Sequence, residues 1–338
     1  MLKTQRYITR LVICFAITIF TLACNSTRNE YTTIEGEALG TFVQVKYSGE
    51  VTSDMMIEII KNIDAEAKAS LSIFDPNSLL SRINRGECDS LDQHIAFNIE
   101  LAGKFTELSN GAYDITIKPL TEAWGFATKK QNGERPNIDS LLEFVGFDKI
   151  RVENGRLLKS DYRTQLDFNS IAKGYTVDML AAELKRLNIE DYMVNIGGEI
   201  RCSGKNPRGD EWSVGIETPY DGNMEMNSFE KLIRVTDCAI ATSGNYRRFY
   251  LNNEGEKIAH TLNPKSGESV VSKLLSATVI APTCAEADAA ATMFMAMGSD
   301  GGALELAKRC EQMFGWEYYF IYADGQKYCV ECSERLRK

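Results

Sequence analysis

The sequence predicts an α+β fold, with mixed, largely antiparallel sheets and packed helices, on three observations. Strand-like alternation opens the folded part in Thr41-Phe42-Val43-Gln44-Val45-Lys46-Tyr47. Apolar residues at helical spacing follow, in Met55, Met56, Ile59, Ile60, Ile63 and Ala67. Strand runs also succeed one another without a helix between them. Tyr192 to Cys202 and Trp212 to Ile216 flank a Gly204-to-Asp210 loop, which favours antiparallel neighbours over a doubly wound sheet.

The remaining elements read in order. Asp75-Pro76-Asn77 forms a loop before a short helix from Ser78 to Asn84, and a longer helix runs from Asp92 to Ser109, stopped by Asn110-Gly111. The polar stretch Ala127 to Pro136 reads as an exposed loop, the one possible internal seam (127–136) in a single domain spanning 32–338. Leu166 to Phe168 is expected as a strand leading into a helix from Ile171 to Leu187. Ser276 to Ala281 reads as a strand running into a helix from Cys284 to Met297, with Thr283 as cap, Glu286 completing a capping box and Gly298 closing it. Tyr318 to Tyr322 is expected as the last strand.

Composition narrows the function. The 338 residues, 44% hydrophobic and 25% charged, can bury a large core without help from disulfides. A net charge of −9, from 38 basic and 47 acidic residues, excludes a broad basic surface for nucleic acid or acidic lipid. Phosphate chemistry must then be local, through a metal, backbone amides or helix ends. With two histidines, His94 and His260, a His-rich metal site is excluded as well.

At the amino end, Lys3, Arg6 and Arg10 precede an apolar run from Leu11 to Ala23, shorter than the ~20 residues of a spanning helix but suited to a signal h-region. The run ends Thr21-Leu22-Ala23-Cys24, which resembles the lipobox of bacterial lipoproteins except that Thr21 replaces an aliphatic residue. Residues 1–23 are therefore expected to be a signal peptide, Cys24 the lipidated residue, and 24–31 a polar tether. That places the protein on the bacterial periplasmic side, lipid-anchored to a membrane; a plain signal or an uncleaved anchor is the alternative. Seven further cysteines show no disulfide-framework rhythm, and Cys329 with Cys332 reads as a local disulfide or as two free thiols.

Three places could carry chemistry. Asp288 sits among Ala285, Ala287, Ala289, Ala290 and Ala291, with Thr292 one turn on, so both oxygens share a helical face. A carboxylate and a hydroxyl so placed suit a hard cation such as Mg2+ that keeps waters and shares a substrate phosphate. The spacing equally fits an exposed aspartate and a threonine bonded back to a carbonyl. Asp167-Phe168-Asn169-Ser170-Ile171-Ala172-Lys173-Gly174 joins strand to helix, a junction that can offer free amides and Lys173 to an anion, although it lacks the P-loop pattern. His260, ahead of a turn set by Asn263-Pro264 and Gly267, could exchange a proton with a hydroxyl or leaving group, or be an ordinary loop histidine. His94 is read as structural.

Taken together and in this order, the stretches resemble the ApbE family of flavin transferases over nearly the whole mature chain. The matching blocks are Asp75 to Asn84, Gly111-Ala112-Tyr113-Asp114-Ile115-Thr116 through Trp124-Gly125-Phe126, Asp167 to Asp178, Asn195-Ile196-Gly197-Gly198-Glu199, Ala241-Thr242-Ser243-Gly244, the His260 block, and Ala287-Asp288 with Thr292. The resemblance implies an enzyme that uses FAD and magnesium, moves FMN onto a threonine hydroxyl of an acceptor flavoprotein and releases AMP. It implies a metal held by Asp288, Thr292 and the backbone oxygen of Ser170, and FAD contacts from Leu39, Phe74, Ala112, Tyr113, Asp114, Asp167, Lys173 and Leu262. Thr242 and Ser243 would line the same cleft, and His260 would be the acid-base residue. Leu39 replaces the family's usual methionine and Phe74 its common tyrosine, changes that keep apolar contact with a flavin or adenine ring. The acceptor implied is a flavoprotein subunit of a membrane redox pump, with no nucleic acid partner. A magnesium-dependent FAD pyrophosphatase yielding FMN and AMP, and a non-catalytic flavin-binding lipoprotein, are the competing readings.

Overall fold

The computed structural model describes residues 30–127, 135–220, 229–246, 248–325 and 327–337. The signal segment, Cys24 and most of the 127–136 seam lie outside them. In chain order the strands are β1 (Tyr31–Ala38), β2 (Thr41–Ser48), β3 (Ile150–Glu153), β4 (Arg156–Lys159), β5 (Tyr192–Ile196), β6 (Glu199–Ser203), β7 (Trp212–Glu217), β8 (Phe229–Val235), β9 (Cys238–Gly244), β10 (Phe249–Leu251), β11 (Lys257–Ala259), β12 (Leu274–Ala281), β13 (Glu317–Asp324) and β14 (Lys327–Cys332). Eight of them form one sheet in the order β1-β2-β5-β6-β9-β12-β13-β14, antiparallel at every step. The rest form three two-stranded ribbons.

Strand periodicity explains how the sheet is clothed. In β2, Val43, Val45 and Tyr47 are buried on alternate positions, facing the helices Ser53–Leu71 and Ala172–Arg186. Ile200, Ile240, Ile280 and Tyr319 pack on the opposite face, under the β7/β8 ribbon that supplies Trp212, Val214 and Ile233. Central β12 is covered on both faces, and seven of its eight residues are buried.

Its continuation, the alanine-rich helix Cys284–Met297, lies between β9/β12 and the Ala172–Arg186 helix. Alanines at 285, 287, 289, 290 and 291 have no exposed surface, because small side chains let neighbouring elements approach. The closest approach is at Gly174, where a Cβ would sit 2.2 Å from the Cys284 carbonyl oxygen and 2.8 Å from the Asp288 Cβ. One turn further, Asp178 accepts hydrogen bonds from the Cys284 and Ala285 amides, each at 2.9 Å. A carboxylate of one helix thus caps the amino end of the other, where the helix dipole favours it. Thr283 adds the expected cap: its hydroxyl accepts from the Glu286 amide at 3.3 Å and donates to the Glu286 carboxylate at 2.9 Å.

Five sequence expectations need correction. Residues 192–202 are two strands, because Gly197 (φ 63°) and Gly198 (φ 107°) turn the chain back into a hairpin. Strand β7 pairs with β8 rather than with this run, so the 192–216 antiparallel pair is replaced by two local ones. Leu166 to Phe168 joins no sheet; the Asn84 side chain takes up both the amide (2.7 Å) and the carbonyl (2.8 Å) of Leu166. The last strand is β14, not β13, and there Cys329 is exposed and Cys332 buried, both as free thiols. The tether also ends sooner, since Tyr31 already begins β1.

The Gly174 contact makes a stability prediction. Gly174→Ala should lower stability by about 1–3 kcal/mol in chemical denaturation, because the clash with a backbone carbonyl outweighs alanine's helix propensity. Gly36→Ala, whose Cβ would meet only Val43 at 3.8 Å, should stay within about 0.5 kcal/mol of wild type.

Candidate functional site

The loops that connect these elements enclose a cavity of about 120 Å3, and its wall brings together Ala112, Tyr113, Asp114, Asp167, Ser170, Ser243, His260, Leu262 and Thr292. Nearly 180 residues of sequence separate the first from the last. The turn at Asn110 (φ 51°) and Gly111 (φ 80°) delivers the 112–114 stretch, where the Ser109 hydroxyl accepts the Tyr113 amide at 2.9 Å. The Tyr113 and Ser170 hydroxyls are hydrogen-bonded at 2.9 Å, which ties this stretch to the start of the Ala172–Arg186 helix. Across the cavity, Ser243 of β9 and Thr292 of the alanine-rich helix share a hydroxyl hydrogen bond at 3.1 Å.

Burial sets the electrostatics. Asp114 accepts from the Thr116 amide (2.8 Å) and hydroxyl (2.7 Å), and Asp167 accepts from the Asn169 amide (2.8 Å) and the Thr121 hydroxyl (3.1 Å). Both carboxyls are nonetheless pushed above their ordinary range, because desolvation outweighs these bonds. Arg248 lies in the same wall, and its charge, with that of Lys118, opposes the rise at Asp167 without cancelling it.

The Asp288 carboxylate is only 2% exposed, so the solvent-facing alternative does not hold. Its Oδ2 accepts the Gly174 amide at 3.0 Å and lies 3.7 Å from the Lys173 Nζ, which in turn meets Glu199 Oε1 at 3.0 Å. Burial alone would depress the Lys173 ammonium, but the charges of Asp288 and Glu199 hold it above its usual value. Burial likewise pushes Glu199 up to about 7, against the pull of Lys173. Asp288 and Lys173 thus stand behind the cavity wall formed by Ser170 and Thr292. The expected anion-binding helix start is also largely occupied: the amides of Asn169, Ile171, Ala172 and Gly174 already have protein acceptors.

His260 follows β11, whose pairing with β10 sets it opposite Arg248. Its amide and Nδ1 both reach the Arg248 carbonyl, at 3.1 and 3.2 Å. A carbonyl can only accept, so Nδ1 carries the proton and the Nε2 lone pair is left free. Burial, then the Arg248 charge, push the His260 pKa down to about 4, and the ring is neutral near pH 7. Phe126 packs edge-on against it, with ring centroids 6.4 Å apart. His94 lies elsewhere, buried between Tyr175 and Glu66 at 2.9 Å each.

Besides Asp288 and Lys173, three expected residues do not join this wall. Thr242 alternates with Ser243 along β9, so it faces the other side of the sheet, where it bonds Thr278 at 2.8 Å and lines a separate cavity. Leu39 occupies the β1–β2 turn at φ 52°, with its amide on Asp64 at 2.7 Å. Phe74 is 57% exposed on the loop after the first helix. Two residues were not singled out from sequence, Arg248 and Glu199. The short hairpin around Asn252–Glu256 would have placed 248 opposite 260, and a glutamate directly after Gly-Gly was the one visible sign of the other.

The profile of the ApbE family matches residues 39–315. The FAD:protein FMN transferase of Haemophilus influenzae is 33% identical over 88% of this chain and 89% of its own length, and that of Vibrio cholerae 32% identical over 80% and 82%. Among solved structures, the flavin transferase ApbE from Vibrio cholerae superposes with a TM-score of 0.81 at 27% identity, covering 91% of this chain and 98% of its own. The flavinyl transferase ApbE of Pseudomonas stutzeri, in its apo form, gives 0.80 at 27%, covering 90% and 95%.

The histidine geometry is testable without any ligand. In an NMR titration the His260 ring should protonate near pH 4, with the signal assigned by its absence in His260→Gln. Arg248→Met should move the midpoint upward, because it removes a positive charge that opposes the imidazolium. An unchanged midpoint would contradict the assigned cause.

Proposed function

The chain belongs to the ApbE family and is an FAD:protein FMN transferase, and from that premise we propose that it joins the FMN half of FAD to a threonine hydroxyl, releasing AMP, with magnesium as cofactor. The observation that carries this reading is the neutral His260, whose Nε2 lone pair is free while it shares one cavity with Ser170, Ser243 and Thr292. The threonine oxygen attacks the phosphorus on the FMN side, the bridging P–O bond breaks, and the electron pair leaves with the AMP phosphate. His260 Nε2 takes the hydroxyl proton as the new P–O bond forms.

The donors beside the cavity fit a hard cation. Asp288 supplies a buried carboxylate, Thr292 a hydroxyl and Ser170 a backbone oxygen, all of them oxygen ligands. Among the described residues no group of three His, Cys, Asp or Glu could hold a metal, so the remaining ligands would be water and substrate oxygens. When bound, a magnesium ion neutralises charge on the diphosphate oxygens. The cavity encloses only part of a molecule as large as FAD, and the family resemblance assigns contacts with the rest of it to Leu39 and Phe74. We further propose that Cys24 carries a lipid anchor on the periplasmic side and that the acceptor is a flavoprotein subunit of a membrane redox pump.

Incubation with FAD, magnesium and a threonine-bearing acceptor should add the mass of one FMN to the acceptor, and none once that threonine is replaced. Free FMN with an unmodified acceptor would instead identify a pyrophosphatase. His260→Ala should lower the transfer rate by about 10²–10⁴-fold. Thr242→Val, altering a side chain on the far face of the sheet, should leave it within about twofold.

A further inference from the structure

The Asn195-Ile196-Gly197-Gly198-Glu199 block ends in a charge whose purpose the transfer reaction does not by itself require. Glu199 opens β6 directly after the two-glycine turn, and its carboxylate is buried, with the residue 5% exposed. Oε1 holds the Lys173 ammonium at 3.0 Å, while Oε2 is buried without a hydrogen-bond partner. A buried carboxylate oxygen left unpaired is costly, and such groups persist at sites of function. The same ammonium lies 3.7 Å from Asp288, outside hydrogen-bond range. The lysine is shared unequally between two acids and sits nearer the one that no metal role claims.

We propose that Glu199 is a positioning residue that holds Lys173 off Asp288, leaving the Asp288 carboxylate open to a divalent cation. The inference rests on the metal reading given above. Lys173 and a divalent cation compete for the same carboxylate, since two positive charges on one buried acid repel each other. Glu199 decides the competition by giving the ammonium another seat. Its unpaired oxygen can accept a second hydrogen bond from Nζ when the lysine withdraws from Asp288. Gly197 and Gly198 bring the acid there, because the tight turn they form lets β6 start immediately behind the Ala172–Arg186 helix.

The test is binding of Mn2+ alone to the full chain, followed by electron paramagnetic resonance of the free ion, with no flavin and no acceptor. Glu199→Gln should raise the Mn2+ dissociation constant about tenfold or more, as the lysine collapses onto Asp288. Glu199→Asp keeps the charge but shortens the reach, and should also weaken binding, which a purely electrostatic role would not predict. In a Lys173→Met background, where no lysine competes, Glu199→Gln should change the constant by less than about threefold. Equal losses in both backgrounds, or wild-type affinity in Glu199→Gln and Glu199→Asp, would overturn the inference while leaving the metal reading intact. Absence of Mn2+ binding by the wild-type chain would overturn the metal reading, and this inference with it.

Discussion

The hydrogen bond from the Gly174 amide to the Asp288 carboxylate, 3.0 Å long, is the contact on which the rest of the site depends. It exists because position 174 has no Cβ, so the helix carrying Lys173 can press against the alanine-rich helix. Asp178 fastens the same two helices a second time by capping the Cys284 and Ala285 amides. With both points fixed, Ser170 and Thr292 are brought to one cavity, and Asp288 is held behind them. A carboxylate buried this deeply is tolerated only with a neutralising partner, and Lys173 is the residue immediately before the glycine.

This arrangement answers the problem that the acidic composition poses. A chain with a net charge of −9 cannot attract a diphosphate by its general field, so the proposed reaction needs positive charge placed locally. Near the cavity, Arg248 stands in the wall and Lys173 behind it, beside an oxygen-rich corner suited to a cation, whereas most helix amides near residue 170 are consumed by the fold itself. The histidine is tuned in the opposite sense. Burial and Arg248 keep it uncharged, so it offers a lone pair instead of one more positive charge.

Periodicity made much of the fold legible in the sequence. The Ser53–Leu71, Gln93–Leu108, Ala172–Arg186 and Cys284–Met297 helices lie within a residue or two of where their apolar spacing places them, the first somewhat longer than its apolar run, and all but Ala172–Arg186 also carry a capping side chain. Strand pairing was less legible, because register is decided by turns and by partners distant in sequence. Gly197-Gly198 falls inside what reads as one strand and is a hairpin tip, and β7 pairs forward to a strand rather than back. At the site, residues next to a chain reversal or a helix face, such as Tyr113, Ser170 and Thr292, were recognisable from local chemistry and family resemblance. Thr242 cannot share the cleft with Ser243, because neighbouring side chains along a strand point to opposite faces. Arg248 and Glu199 escaped notice because what they do depends on contacts across the sheet and between layers.

The central claim is that the phosphoryl group passes to a protein hydroxyl and not to water. Reaction in oxygen-18 water, with a threonine-bearing acceptor, tests it most directly. Attack by the threonine oxygen predicts one AMP for each FMN attached, and no oxygen-18 in either AMP or the acceptor-bound FMN. Free FMN carrying oxygen-18 on its phosphate, with the acceptor unmodified, would contradict the account.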